Sequence, residues 1–262
     1  MFPSTPKFLR RVVSLLAILG SLALPSWSDP GSAAKPHGTV VNLKGNREPF
    51  TGYLIKPEGK GPFPAVVVIM EWWGLNDQIR GVADRLAREG YVALVPDLYH
   101  GHVTTDPEKA HELLRALDDQ DAISELGSAM EYLRSLPEVG KSRIGSLGFC
   151  MGGGLSLRLA LHRSDLSGAV MFYGQPETDP AELKGAACPV LGLFGEDDQG
   201  ILHDRIMDMA KGLNRVGKGA EVQIYSAAGH AFFNETRPSY SKEAAEDAWK
   251  RTLAFFGKHL KG

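Results

Sequence analysis

The 262 residues carry 29 basic and 31 acidic side chains, a formal charge of −2 at pH 7, with neither sign gathered into a block. Such a balance offers no stripe or tail for phosphates or anionic lipid, so nucleic acid is not an expected partner. An apolar content of 43 % supports one sizeable core, and one folded domain is expected at this length.

At the N-terminus, Lys7, Arg10 and Arg11 precede an apolar run from Val12 to Leu24, followed by Pro25-Ser26-Trp27-Ser28. A basic segment, a short apolar segment and small residues before a cut after Ser28 form the layout of a secretory signal, so residues 1–28 are read as a signal peptide. A retained membrane anchor is the competing reading, but crossing the hydrocarbon takes about 20 apolar residues and this run is shorter. The protein is therefore expected to be exported, periplasmic or secreted, with no stable membrane association after cleavage. Residues 29–37, rich in Pro, Gly, Ser and Ala, read as a flexible leader, which leaves 38–262 for the folded domain.

From Thr39 onward, apolar runs of strand length alternate with amphipathic helical stretches. Strands are predicted at Thr39–Asn42, Gly52–Lys56, Ala65–Met70, Val92–Pro96, Ile144–Gly148, Ala169–Tyr173, Val190–Gly195 and Glu221–Tyr225. The first two have antiparallel character, whereas runs such as Ala65–Met70 are apolar without alternation, as strands buried on both faces should be. Helices are predicted at Asn76–Glu89, Glu108–Ala116, Gln120–Ser135, Met151–Leu161, His203–Val216 and Lys242–Lys258, with Gly90 able to end the first. The alternation implies an α/β fold: a mostly parallel central sheet of about eight strands with helices on both faces.

The stretch Ile144-Gly145-Ser146-Leu147-Gly148-Phe149-Cys150-Met151-Gly152 carries the chemistry. A strand runs into Gly-x-Cys-x-Gly and then into a helix, which is the nucleophile elbow of the α/β-hydrolase fold with Cys in place of Ser. The turn is so tight that a side chain two residues before or after the nucleophile would strike neighbouring backbone, so Gly148 and Gly152 are steric requirements. Cys150 also precedes a helix, whose positive N-terminal end favours a thiolate. A small buried Cys beside glycines is the plainer alternative. The second cysteine, Cys188, could bridge to Cys150, but that would remove the nucleophile, so both thiols are expected to be free.

A Cys nucleophile needs a base and an acid that fixes the base's tautomer, and this fold supplies them in the order nucleophile, acid, base, after later strands. After Val190–Gly195 comes Glu196-Asp197-Asp198-Gln199-Gly200-Ile201, and after Glu221–Tyr225 comes a short loop holding Gly229-His230. Of eight histidines, His230 is the candidate base. Asp198 competes with Asp197 and Glu196 for the acid; Ile201 can anchor the turn in the core while Asp198 faces the histidine. Two other features are set aside. His100-Gly101-His102 with His111 lacks the Cys or carboxylate partners of a metal site, and Gly152-Gly153-Gly154 is not followed by the Lys-Ser/Thr of a phosphate loop.

Four motifs in order, Met70-Glu71-Trp72-Trp73-Gly74-Leu75-Asn76, Pro96-Asp97-Leu98-Tyr99, Gly148-Phe149-Cys150-Met151-Gly152-Gly153 and Gly229-His230-Ala231-Phe232, resemble the dienelactone hydrolase family over about Thr39 to Leu260. The resemblance implies a carboxylic ester hydrolase with the triad Cys150, His230 and Asp198, no metal and no organic cofactor. It implies that Glu71, otherwise a cap for the helix near Asn76, accepts a hydrogen bond from the resting thiol and protects it by like charge. It implies an oxyanion hole from the backbone N–H groups of Met151 and Trp72. Trp73, Tyr99, Phe232 and Asn234 are then expected to line the substrate pocket, although the aromatic residues read equally well as ordinary core.

The chain departs from the family in one respect. Family members of the chlorocatechol type hold a substrate carboxylate with two arginines, and the corresponding places here are Gly101 and Asn234. A neutral or differently charged ester or lactone is therefore the expected small-molecule partner, and a monomer the expected state. Two other readings remain at this point: a non-catalytic ligand-binding protein on the same fold, and an acyl transferase using the same triad.

Overall fold

Among the described residues, 38–262 apart from Ser142, the computed structural model folds as one eight-stranded sheet with flanking helices. The signal and leader readings lie outside the described residues. In chain order the strands are β1 (Thr39–Leu43), β2 (Phe50–Ile55), β3 (Ala65–Ile69), β4 (Val92–Pro96), β5 (Ile144–Phe149), β6 (Gly168–Phe172), β7 (Val190–Gly195) and β8 (Ala220–Tyr225). They lie side by side in the order β1-β2-β4-β3-β5-β6-β7-β8. The pairs β1–β2 and β2–β4 are antiparallel and all the others parallel. The expected antiparallel start and parallel body are both present.

The helices are α1 (Asp77–Arg88), α2 (Pro107–Ala116), α3 (Asp119–Ser135), α4 (Met151–His162), α5 (Pro180–Leu183), α6 (His203–Arg215) and α7 (Lys242–Phe256). Every residue of β3, β4, β5, β6 and β7 is buried, which is why these strands read as unbroken apolar runs; β1 and β8, at the sheet edges, are mixed. Adjacent residues on a strand point to opposite faces, and β5 shows both layers. A Cβ on Gly145 would come within 3.0 Å of Phe256 at the end of α7, while the Ser146 hydroxyl pairs with Ser156 of α4 at 2.8 Å. Helices α4 and α7 therefore cover opposite faces. Helix α3 packs beside α4, and α1 meets α7 through Arg85, whose guanidinium lies 4.1 Å above the Trp249 ring.

Most elements start or end within one or two residues of expectation. Tyr173 falls just outside β6 because it takes a positive φ of 37°, which no ladder residue adopts. Helix α5 was not predicted. Four residues are too short for an apolar period, although Asp179, which caps it, and Pro180 in its first turn are ordinary start signals. The predicted extension of the last helix to Lys258 instead widens into π geometry over Gly257–Lys261. No helix of the described residues is long and apolar enough to cross a membrane.

The order of strands places the site. After β3 the chain runs to β4 on one side and later returns to β5 on the other, and in open α/β sheets the crevice at such a reversal, beyond the carboxyl ends of the strands, receives ligands. Glu71 and Trp72 follow β3, and Cys150 follows β5.

Candidate active site

Cys150 sits between β5 and α4 with φ 54° and ψ −117°, a conformation a non-glycine residue holds only when its surroundings enforce it. Those surroundings are backbone. A Cβ on Gly148 would lie 1.8 Å from the Gly152 carbonyl, and one on Gly152 would lie 2.4 and 2.5 Å from the carbonyls of Ile69 and Met70. The Cys150 N–H is fixed by the carbonyl of Phe172 at 3.0 Å, and the Cys150 carbonyl accepts from Gly153 and Gly154 in the first turn of α4. The thiol is partly exposed and free; Cys188 is also free, but buried, and burial pushes its pKa up to about 12. Replacing Gly152 with Ala should therefore destabilise the fold by about 2–3 kcal/mol or more and lower turnover, because the end of β3 has no slack to give. Urea denaturation checks this, and a midpoint and turnover equal to the parent's would count against the packing argument.

Met151 opens the helix, where N–H groups lack an intrahelical acceptor, and Trp72 follows the β3 residues on which Gly152 rests. Tyr99 donates its hydroxyl to Met151 Sδ at 3.3 Å, which seats the β4 loop against the same turn.

The loops after β7 and β8 are tied to each other by their backbones, Glu196 N–H to the Tyr225 carbonyl and Asp197 N–H to the Ala228 carbonyl, each at 2.9 Å. That register settles which carboxylate meets the histidine. Glu196 and Asp197 are exposed, whereas Asp198 is buried, with Oδ1 accepting from Gly200 N–H at 2.9 Å and Oδ2 2.7 Å from His230 Nδ1. Ile201 is buried behind it. Cys150 acts on the same imidazole and, with Asp198, favours its protonated form. Burial works against the imidazolium, but the hydrogen bonds and negative charges of Asp198 and Cys150 outweigh it and hold the His230 pKa above its ordinary value.

Glu71 differs from expectation. Its two carboxylate oxygens are taken by donors other than the thiol: Oε1 accepts from the Tyr173 hydroxyl at 3.1 Å and Oε2 from Asn234 Nδ2 at 2.8 Å. Burial raises the Glu71 pKa, opposed by the hydrogen bonds from Asn234 and Tyr173 and by the charges of His230 and Arg237.

Asn234 and Phe232, expected on the pocket wall, instead turn inward. Asn234 is 1 % exposed and spent on Glu71, and Phe232 is sealed among Phe172, Tyr173 and Tyr225. Of the other residues expected in the pocket, Tyr99 reaches Met151, while Trp73 is buried beneath the guanidinium of Arg237, 3.8 Å from its ring. Trp72, half-buried, meets His111 of α2 edge-on.

Two residues of the site region were not singled out from the sequence. Tyr173 is fully buried, donates to Glu71, and has its ring centroid 5.1 Å from that of His230. Its place at the carboxyl end of a central strand was the available signal. Arg237 lies in the loop after His230 and carries its charge beside Glu71. Nothing local marks it, because its partner Trp73 is remote in the chain.

The family model described as the dienelactone hydrolase family matches residues 50–260. A protein of Saccharolobus solfataricus, provisionally named carboxymethylenebutenolidase, is 36 % identical over 245 residues, covering 78 % of this chain and 91 % of its own. Protein usf of Aquifex pyrophilus is 34 % identical over 233 residues, covering 85 % of this chain and 99 % of its own. A crystal structure from Klebsiella pneumoniae, provisionally titled dienelactone hydrolase, superposes with a TM-score of 0.75 at 29 % identity, covering 84 % of this chain and all of that one.

Proposed function

The chain belongs to the dienelactone hydrolase family and is a carboxylic ester hydrolase, and from that premise we propose that it cleaves a small ester or lactone through a Cys150-His230-Asp198 triad and an acyl-enzyme. The observation that carries this reading is the pairing of His230 Nδ1 with the buried Asp198 Oδ2 at 2.7 Å, with Cys150 close enough to bear on the same imidazole. With Nδ1 held by Asp198, Nε2 is the nitrogen left to take the Cys150 proton, and the raised pKa of the ring makes it the stronger base.

His230 takes the thiol proton, and the thiolate adds to the ester carbonyl carbon. The carbonyl oxygen becomes an oxyanion held by the N–H groups of Met151 and Trp72. A donor of this kind is worth about 3 kcal/mol in the transition state. Collapse breaks the ester C–O bond, and the departing alkoxide takes the proton from His230, leaving a thioester. Water then adds with His230 as base, and the carboxylic acid leaves as the thiol recovers its proton. With a lactone the alcohol stays tethered, so the product is a single hydroxy acid.

The substrate is proposed to be neutral. No arginine stands at Gly101 or Asn234, and His100 is turned to Glu125 at 3.1 Å. Arg237 is stacked on Trp73, with its Nε buried and its charge set against Glu71. A charge-assisted bond to a carboxylate is worth about 1.5–3 kcal/mol, so lacking two such bonds should disfavour an anionic substrate by on the order of a hundredfold. The test is kcat/KM for dienelactone, an uncharged lactone of similar size and a short p-nitrophenyl ester, before and after stoichiometric alkylation of Cys150. The neutral compounds should be turned over faster, and alkylation should stop all three reactions. Preference for dienelactone would overturn the charge argument, and turnover surviving alkylation would overturn the nucleophile.

A further inference from the structure

Tyr173, Glu71 and Asn234 come from three places: the end of β6, the end of β3, and the loop between β8 and α7 that also carries His230. All three are buried, and Glu71 joins them, with the Tyr173 hydroxyl on one carboxylate oxygen at 3.1 Å and the Asn234 amide on the other at 2.8 Å. The Asn234 amide cannot turn over freely, because its Oδ1 accepts from Thr236 N–H at 3.0 Å and from Thr236 Oγ1 at 2.7 Å. Tyr173 follows Phe172, whose carbonyl fixes the N–H of Cys150, and its ring packs against His230. One carboxylate thus connects the nucleophile's support to the histidine's loop. A buried carboxylate without partners is strongly disfavoured, so the arrangement persists only if it is closed.

We propose that Tyr173 and Asn234 are positioning residues, and that through Glu71 they form a clasp which seats the His230 loop against Cys150. The proposal rests on reading Cys150 and His230 as the reacting pair. It assigns Glu71 to alignment of the base, with the thiol left to His230. The groups facing Glu71 are Tyr173 and Asn234, with the charges of His230 and Arg237 nearby; Cys150 and Glu235 bear on Tyr173.

Asn234→Asp tests the clasp without changing its shape. The new carboxylate would face that of Glu71 across the present 2.8 Å contact, where two carboxylates hold together only while they share a proton. As pH rises and the proton leaves, repulsion opens the clasp and the His230 loop withdraws. The ratio of variant to parent kcat should therefore fall by on the order of tenfold or more between about pH 5.5 and about pH 8.5, with KM within about twofold. Tyr173→Phe, which removes one oxygen and adds no charge, should lower kcat several-fold at every pH and leave KM alone. It should also move the alkylation of Cys150 to higher pH, as the imidazole's support of the thiolate weakens. A space-filling role would move neither profile. Cys150→Ala in the same assay separates the two levels: residual turnover there removes the catalytic reading itself. An inactive Cys150→Ala, together with a flat Asn234→Asp ratio and parent-like kcat and alkylation in Tyr173→Phe, overturns the clasp alone.

Discussion

Cys150→Ala should lose ester turnover by on the order of 10⁴-fold or more, while Cys188→Ala keeps activity within about twofold. The contrast follows from the two environments. Cys150 is partly exposed, held on a strained turn at the head of α4 and in contact with His230. Cys188 is buried before β7, and burial holds its pKa near 12, so it supplies no thiolate at neutral pH. Removing the Cys188 sulfur leaves only a small void, costing about 1 kcal/mol of stability. Measured kcat for both variants, with urea midpoints beside them, checks the pair. Equal losses would mean that the sulfur atoms act together or that neither is the nucleophile.

His230→Ala should lower kcat by on the order of 10³–10⁵-fold with the fold retained, and Asp198→Asn should follow with a smaller but still large loss. His230 is at the surface, its side chain 42 % exposed, so its removal costs chemistry and little packing. Asn at position 198 keeps the shape but can present its amide N–H to Nδ1, which then favours the wrong tautomer for accepting the thiol proton. Asp197→Asn is the matched control: Asp197 is exposed and reaches the His230 loop through its backbone N–H, so the substitution should be nearly silent. Steady-state kinetics with circular dichroism on the three variants decides the matter. A His230→Ala enzyme retaining more than about a tenth of parent activity would remove the residue from the mechanism, and a loss in Asp197→Asn matching that in Asp198→Asn would reassign the acid.

What the sequence could disclose was local. Unbroken apolar runs announced strands covered on both faces, because burial on both sides leaves no polar face to alternate. The elbow was legible because its sterics involve residues two apart: Gly148 and Gly152 are required by backbone within a few residues or directly beneath the turn. The order nucleophile, acid, base placed His230 and narrowed the acid to three neighbours. The choice of Asp198 was then made by the hydrogen-bond register between two loops, which leaves Asp197 in solvent.

Tertiary structure alone decided what lies beneath Cys150 and His230. Glu71 meets Tyr173 across 102 residues of chain and Asn234 across 163, and no periodicity or turn chemistry encodes contacts at such separations. The same holds for Arg237 over Trp73 and for the inward turn of Phe232. These side chains have short-range surroundings that permit several orientations. Packing selects one, because a buried carboxylate must find its donors wherever the fold has brought them. Sequence therefore determined the strands, the strained turn and the candidate site residues, while the fold determined which carboxylate pairs with His230 and which is taken by Tyr173 and Asn234.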